Sequence, residues 1–79
     1  MFKYEVKRVL EFKNDKCKTE YLSVGDDIIM GYEDYNEGVI EIKGEVLGIE
    51  DDGYLLIYRH KTLKIEKYEL CNIIFLIKW

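Results

Sequence analysis

The sequence predicts an all-β domain, most economically an SH3-like barrel of five to seven short antiparallel strands. Three observations carry that expectation. Apolar residues recur with a period of two along nearly the whole chain, turn signals arrive roughly every 8 to 12 residues, and the alternation slips by one residue inside the segment 39–50. The chain has 79 residues, which makes one small domain. A domain of that size buries only roughly 60% of its unfolded surface, so a dense core is needed. The composition supplies one, with 48% hydrophobic and 14% aromatic residues.

The elements follow in order. Phe2, Tyr4, Val6, Leu10 and Phe12 hold even positions, and Lys3, Glu5, Lys7, Glu11 and Lys13 hold odd ones. A helix through Phe2, Val6, Val9 and Leu10 would leave Tyr4 and Phe12 on its polar side and has no capping residue before it, so a strand is predicted. "KNDKCK" (13–18) reads as a turn, because Asn and Asp tolerate positive φ and bond their own backbone. "TEYLSV" (19–24) resumes the alternation, "GDD" (25–27) breaks it, "IIMGYE" (28–33) is a short strand and "DYNEG" (34–38) a loop. In "VIEIKGEVLGIE" (39–50), Ile40 and Ile42 share a face, but beyond Gly44 the apolar positions become Val46, Leu47 and Ile49. A slip of one turns every later side chain over, and glycine at 44 and 48 suits a bulge or bend. "DDG" (51–53) is a hairpin signal. "YLLIY" (54–58) pairs back, "TLKIEKY" (62–68) alternates again, "YELCN" (68–72) suits a 3₁₀ turn, and "NIIFLIKW" (72–79) is the last strand. Proline is absent, so these turns rely on Gly, Asn and Asp.

Charge narrows the function classes. Twelve Lys and Arg stand against sixteen Asp and Glu, and a net charge of −4 argues against general attraction to nucleic acid or anionic membrane. No apolar run resembles a signal or a membrane span, so a cytoplasmic setting is expected, with Cys17 and Cys71 reduced. Cys71, between Leu70 and Asn72-Ile73, reads as a buried small hydrophobe. Cys17, between two lysines, is the thiol more inclined to ionise.

One basic cluster stands out, "YRHKTLK" (58–64), which holds the sole histidine. Arg59, His60, Lys61 and Lys64 are expected at a hairpin tip. They are either a solvated turn or a nucleic-acid contact in which the cations meet phosphates and Tyr58 stacks on a base. An exposed tip predicts that replacing Arg59, Lys61 and Lys64 together changes stability by no more than about 0.5 kcal/mol.

Nothing points to catalysis, a metal or a cofactor. Asp26-Asp27, Glu33-Asp34 and Glu50-Asp51-Asp52 flank turn glycines, where water keeps paired carboxylates ionised, and they lack calcium-loop spacing. Cys17, His60 and Cys71 offer three soft ligands at most, where a structural zinc site wants four. The chain has no phosphate-cradling glycine loop and no Ser-His-Asp set.

Two stretches are apolar on both faces. Tyr54, Leu56 and Tyr58 oppose Leu55 and Ile57, while Ile74 and Leu76 oppose Ile73, Phe75, Ile77 and Trp79. Either the N-terminal strands cover the surplus face, or Tyr54, Leu56, Ile74, Leu76 and Trp79 form a partner surface. The strand Asn72–Ile77 carries no charge, Gly or Pro, and natural edge strands are normally blunted by such residues. The expected function is therefore a non-enzymatic interaction or accessory module that pairs with itself or another protein. A nucleic-acid-binding regulator using 58–64 is the alternative.

The stretch "GEVLGIEDDGYLLIY" (44–58) resembles the Sm-like pattern, in which a glycine-containing bent strand runs through an acidic turn into a hydrophobic strand. That resemblance implies a small barrel, and the bacterial members of the group are RNA chaperones that assemble as rings. The second Sm signature is missing, a strand stands where the group has an N-terminal helix, and the net charge is of the wrong sign for a typical RNA binder.

Overall fold

The computed structural model describes residues 9–14, 16–50 and 52–79. The alternation expected over Phe2–Val6 lies outside the described residues. Seven strands are formed there, β1 (Val9–Lys13), β2 (Thr19–Ser23), β3 (Asp27–Asp34), β4 (Gly38–Ile49), β5 (Tyr54–Arg59), β6 (Lys64–Glu69) and β7 (Ile73–Lys78), with a 3₁₀ turn over Leu70–Asn72. The fold is all-β and antiparallel. Strands β1 and β2 make a hairpin, and the other five make one sheet in the order β6-β5-β4-β3-β7. Among the described residues β6 and β7 do not pair with each other, so the ladders define two sheets and not a closed barrel. No helix among them is long and apolar enough to cross a membrane.

Short polar residues make the corners. Asn14 Oδ1 accepts the N–H groups of Lys16 and Lys18 at 2.9 and 3.0 Å, which lets Cys17 take φ 59° in the first turn. Asp26 Oδ2 accepts the N–H of Ser23 at 2.8 Å. That bond, with the Lys78 ammonium 3.4 Å away, holds the Asp26 carboxyl below its ordinary value. The same corner bonds the middle of β4. Gly25 donates to the Val46 carbonyl (2.8 Å), and Val46 donates to the Asp26 carbonyl (2.9 Å). Asp34 Oδ2 accepts from Asn36 and Glu37 in the β3–β4 turn, where Gly38 has φ 75°.

The phase slip in β4 is real, but it falls later than the glycine at 44 suggested. Leu47 is the extra residue, between Val46 paired with Ile57 and Gly48 paired with Leu56. Gly44 stays in the ladder opposite Arg59, with the Tyr58 carbonyl against its Cα. A second bulge, unforeseen from sequence, lies in β7. Gly31 pairs with Phe75 and Tyr32 with Ile73, which leaves Ile74 unmatched.

The core is built from alternate residues of both sheets: Leu22, Ile28, Met30, Ile42, Val46, Leu55 and Ile57 are fully buried. Tyr32, Tyr68 and Leu76 complete it, the two rings meeting edge-on at 4.9 Å. The hairpin β1–β2 lays Leu10, Phe12 and Leu22 on this core. Leu76, expected on the surplus outer face, belongs instead to this core. Lys78 Nζ fastens the edge by donating to the Tyr21 carbonyl at 3.0 Å.

Candidate functional site

The basic cluster at 58–64 does not form one surface. Residues 60–63 make the β5–β6 turn, as expected, and His60, Lys61 and Lys64 are exposed. Arg59 is not part of the exposed tip. It has the same strand parity as Leu55 and Ile57, so its side chain turns to the inner face and is only 17% exposed. There Nη1 lies 3.5 Å from Glu66 Oε2, which also accepts the Tyr68 hydroxyl proton. Burial, reinforced by the Glu66 carboxylate, pushes the Tyr68 phenol well above its ordinary value. Tyr58, on the outer face, is half-buried between Glu45 and Ile65 across the ladders. His60 Nε2 is 3.6 Å from Asp27 Oδ1, and its ring meets Tyr58 edge-on at 6.0 Å. Among the described residues only Lys61 and Lys64 of this set are exposed cations without an ion pair.

Stability separates these residues. Arg59→Ala is expected to cost about 1–3 kcal/mol, because the half-buried Glu66 loses its partner. Lys61→Ala with Lys64→Ala should stay within about 0.5 kcal/mol. Thermal melts read both, and equal losses would show that Arg59 is no more anchored than the tip.

The other sulfur and acidic groups do not converge. Cys17 and Cys71 are both exposed and unpaired. The expected burial of Cys71 is thus corrected: the 3₁₀ turn aims its thiol outward, toward Glu69 (3.8 Å) and Asn72 (3.7 Å). Among the described residues no three His, Cys, Asp or Glu side chains are placed to hold a metal ion.

The expected partner surface is rearranged. Tyr54 and Leu56 lie half-buried on the outer face of β5. The Tyr54 hydroxyl donates to Glu69 (3.1 Å), which raises its pKa, and Lys67 Nζ stands 4.3 Å above its ring. Leu76 does not face outward with Ile74. It is 8% exposed in the core while Ile74 is 54% exposed, because the bulge at Ile74 resets the alternation between them. Trp79, 73% exposed, continues the line of β7 and donates its N–H to the Asp27 carbonyl at 3.1 Å.

Phe75 and Ile77 take the place assigned to Leu76. Both point outward, 40% and 47% exposed, opposite Gly31 and Ile29 of β3. The Phe75 ring lies against Gly31 so closely that a Cβ there would be 2.3 Å from Cε2. Phe75, Ile77 and Trp79 thus form an uncharged outer stripe, with Ile74 at its end. A glycine inside the strand "IIMGYE" was the available signal that another chain segment approaches closely there. Between β7 and β1 lies a groove of about 280 Å³, lined by Leu10, Glu11, Phe12 and Lys13 on one side and by Leu70 and Ile73–Leu76 on the other; a second, of about 200 Å³, sets Leu76, Ile77 and Lys78 against Asn14, Lys16 and Glu20. Comparisons with protein-family models, curated proteins and solved structures find no match to the chain.

Proposed function

We propose that this chain is a non-enzymatic interaction module, an SH3-like barrel left open along one seam, which self-associates through β7. The barrel reading is supported by the five-strand order, by a long middle strand that bulges at Leu47, and by the 3₁₀ turn before the last strand. A cytosolic setting suits the two exposed, unpaired thiols, which such a compartment keeps reduced.

The observation that carries the function is the stripe on β7. Three large apolar side chains are exposed on one face of a strand that lies at the rim of its sheet. Exposed apolar patches of that kind mark interaction sites, and uncharged edges pair with other strands. The nucleic-acid alternative is left with Lys61 and Lys64, since Arg59 is turned inward beside Glu66.

Sedimentation velocity tests the reading. The native chain is expected to pass from monomer to dimer across the micromolar range, with Ile77→Lys raising the dissociation constant about 100-fold or more. Salt should leave the association unchanged or slightly tighter, because it screens the repulsion between two negative chains. A steep weakening with salt would instead favour contact with a polyanion. A chain that stays monomeric at hundreds of micromolar ends the proposal.

A further inference from the structure

We infer that the tip of the β5–β6 hairpin, residues 61–65, docks on an anionic lipid surface. Leu63 and Ile65 enter the headgroup layer, and Lys61 and Lys64 meet the lipid phosphates and carboxylates. The inference does not depend on self-association through β7.

The tip is built against its own conformational preference. The Leu63 N–H closes the turn on the Arg59 carbonyl at 2.9 Å, and Leu63 takes φ 56° to do so. Glycine or asparagine holds that left-handed conformation readily, whereas a leucine side chain is crowded there. The side chain gains no packing in return, since Leu63 is 70% exposed. Among the described residues the one other non-glycine at positive φ is Cys17, a small side chain in a turn ordered by Asn14. No such local cause explains Leu63. A leucine both crowded and left in water stabilises nothing within the chain, and strain of that kind gathers where a ligand or partner is held.

The neighbours of Leu63 supply charge and further apolar surface. Residues 60–65 are exposed without a break, Ile65 among them. Among the described residues Lys61 and Lys64 have no ion pair. The carboxylates nearest them are engaged, because Glu66 turns inward to Arg59 at 3.5 Å and Asp27 lies 3.6 Å from His60. The remaining negative charge of the chain is screened beyond about 8 Å at physiological salt, so the tip presents a cationic face at close range.

Aliphatic side chains flanked by ammonium groups are what an interfacial anchor needs. The apolar groups sink to the headgroup–acyl boundary while the cations stay at its anionic face. A nucleic acid would use the two lysines and leave Leu63 and Ile65 in water. The ring nearest the tip, Tyr58, is half-buried on the sheet and badly placed to stack on a base. A folded protein would need a pocket shaped for Leu63, whereas a lipid surface needs no matching shape. With only two cations and two aliphatic side chains, the contact should be weak and rapidly reversible.

Co-flotation of the full chain with vesicles tests the inference. Vesicles rich in phosphatidylserine should carry the chain, and pure phosphatidylcholine should not. Each ammonium contributes about five-fold at such a surface, so Lys61→Ala with Lys64→Ala should weaken binding about 25-fold. Leu63→Gly is the decisive variant, because it relieves the backbone and removes the apolar anchor together. It should raise the melting temperature by about 4–8 °C. It should also weaken vesicle binding about tenfold, as the loss of a buried leucine requires. A Leu63→Gly chain that floats as well as the native one overturns the inference, as does a native chain that ignores anionic vesicles. A lower melting temperature for that variant would overturn it too, by showing that Leu63 packs within the chain. Binding to single-stranded DNA that needs the lysines and not Leu63, with no flotation, would make the partner a nucleic acid instead.

Discussion

Leu76→Lys should leave no folded protein, while Ile77→Lys one position along should fold like the native chain. The two residues are neighbours on one strand, yet Leu76 is 8% exposed opposite Met30, and Ile77 looks out beside Ile29. An ammonium at 76 would enter a core that, among the described residues, holds no buried polar or charged side chain. Burying an unpaired charge costs more than about 4 kcal/mol, which approaches the whole stability of a small domain. Circular dichroism and thermal melting check the contrast. A Leu76→Lys protein with a native melting transition would show that the side chain is not in the core and that the bulge at Ile74 is misplaced.

Gly44→Ala should be the most damaging of the glycine substitutions. A Cβ at this position would be 2.3 Å from the Tyr58 carbonyl oxygen and 2.6 Å from Ile57 Cγ2. The nearest atom belongs to a backbone locked in the β4–β5 ladder, so it cannot rotate aside, and the strands must separate locally. Overpacking typically costs about 1–3 kcal/mol, and the upper end is expected where backbone must move. At Gly38 and Gly25 a Cβ meets nothing within 4 Å, and the positive φ alone opposes it, at about 1–2 kcal/mol. Urea midpoints for the three variants should fall in that order, Gly44→Ala lowest. If Gly44→Ala matches the other two, the close approach of β5 is not what requires glycine there.

The strands were legible because a two-residue period is a local property, readable wherever one face is buried. The turns were legible for a related reason, since Asn14, Asp34 and Gly53 act on backbone within a few residues of themselves. The faces of β7 were not. A bulge is defined by the partner strand, and nothing in "NIIFLIKW" says that Gly31 takes Phe75 while Tyr32 takes Ile73. Arg59 was misplaced for a different reason. Its parity with Leu55 and Ile57 already put it on the inner face, but its charge was read as exposure. Glu66 and Tyr68, across the ladder with the matching parity, were the signal that an inward cation had a place to go. Cys71 was read from its apolar neighbours, and a 3₁₀ turn separates neighbours in sequence from neighbours in space.

The seating of Phe75 on Gly31 reaches into the ancestry of the chain. The two positions are coupled, since a side chain gained at 31 forces the ring at 75 to turn aside. A lineage that acquires alanine there swings its aromatic off the strand, and loses with that seat the flat outer stripe and the reason to keep the ring. Among descendants of a common ancestor, glycine at 31 and an aromatic at 75 should be inherited as a pair and lost as a pair. A single sequence with alanine at 31 and phenylalanine at 75 would break that rule.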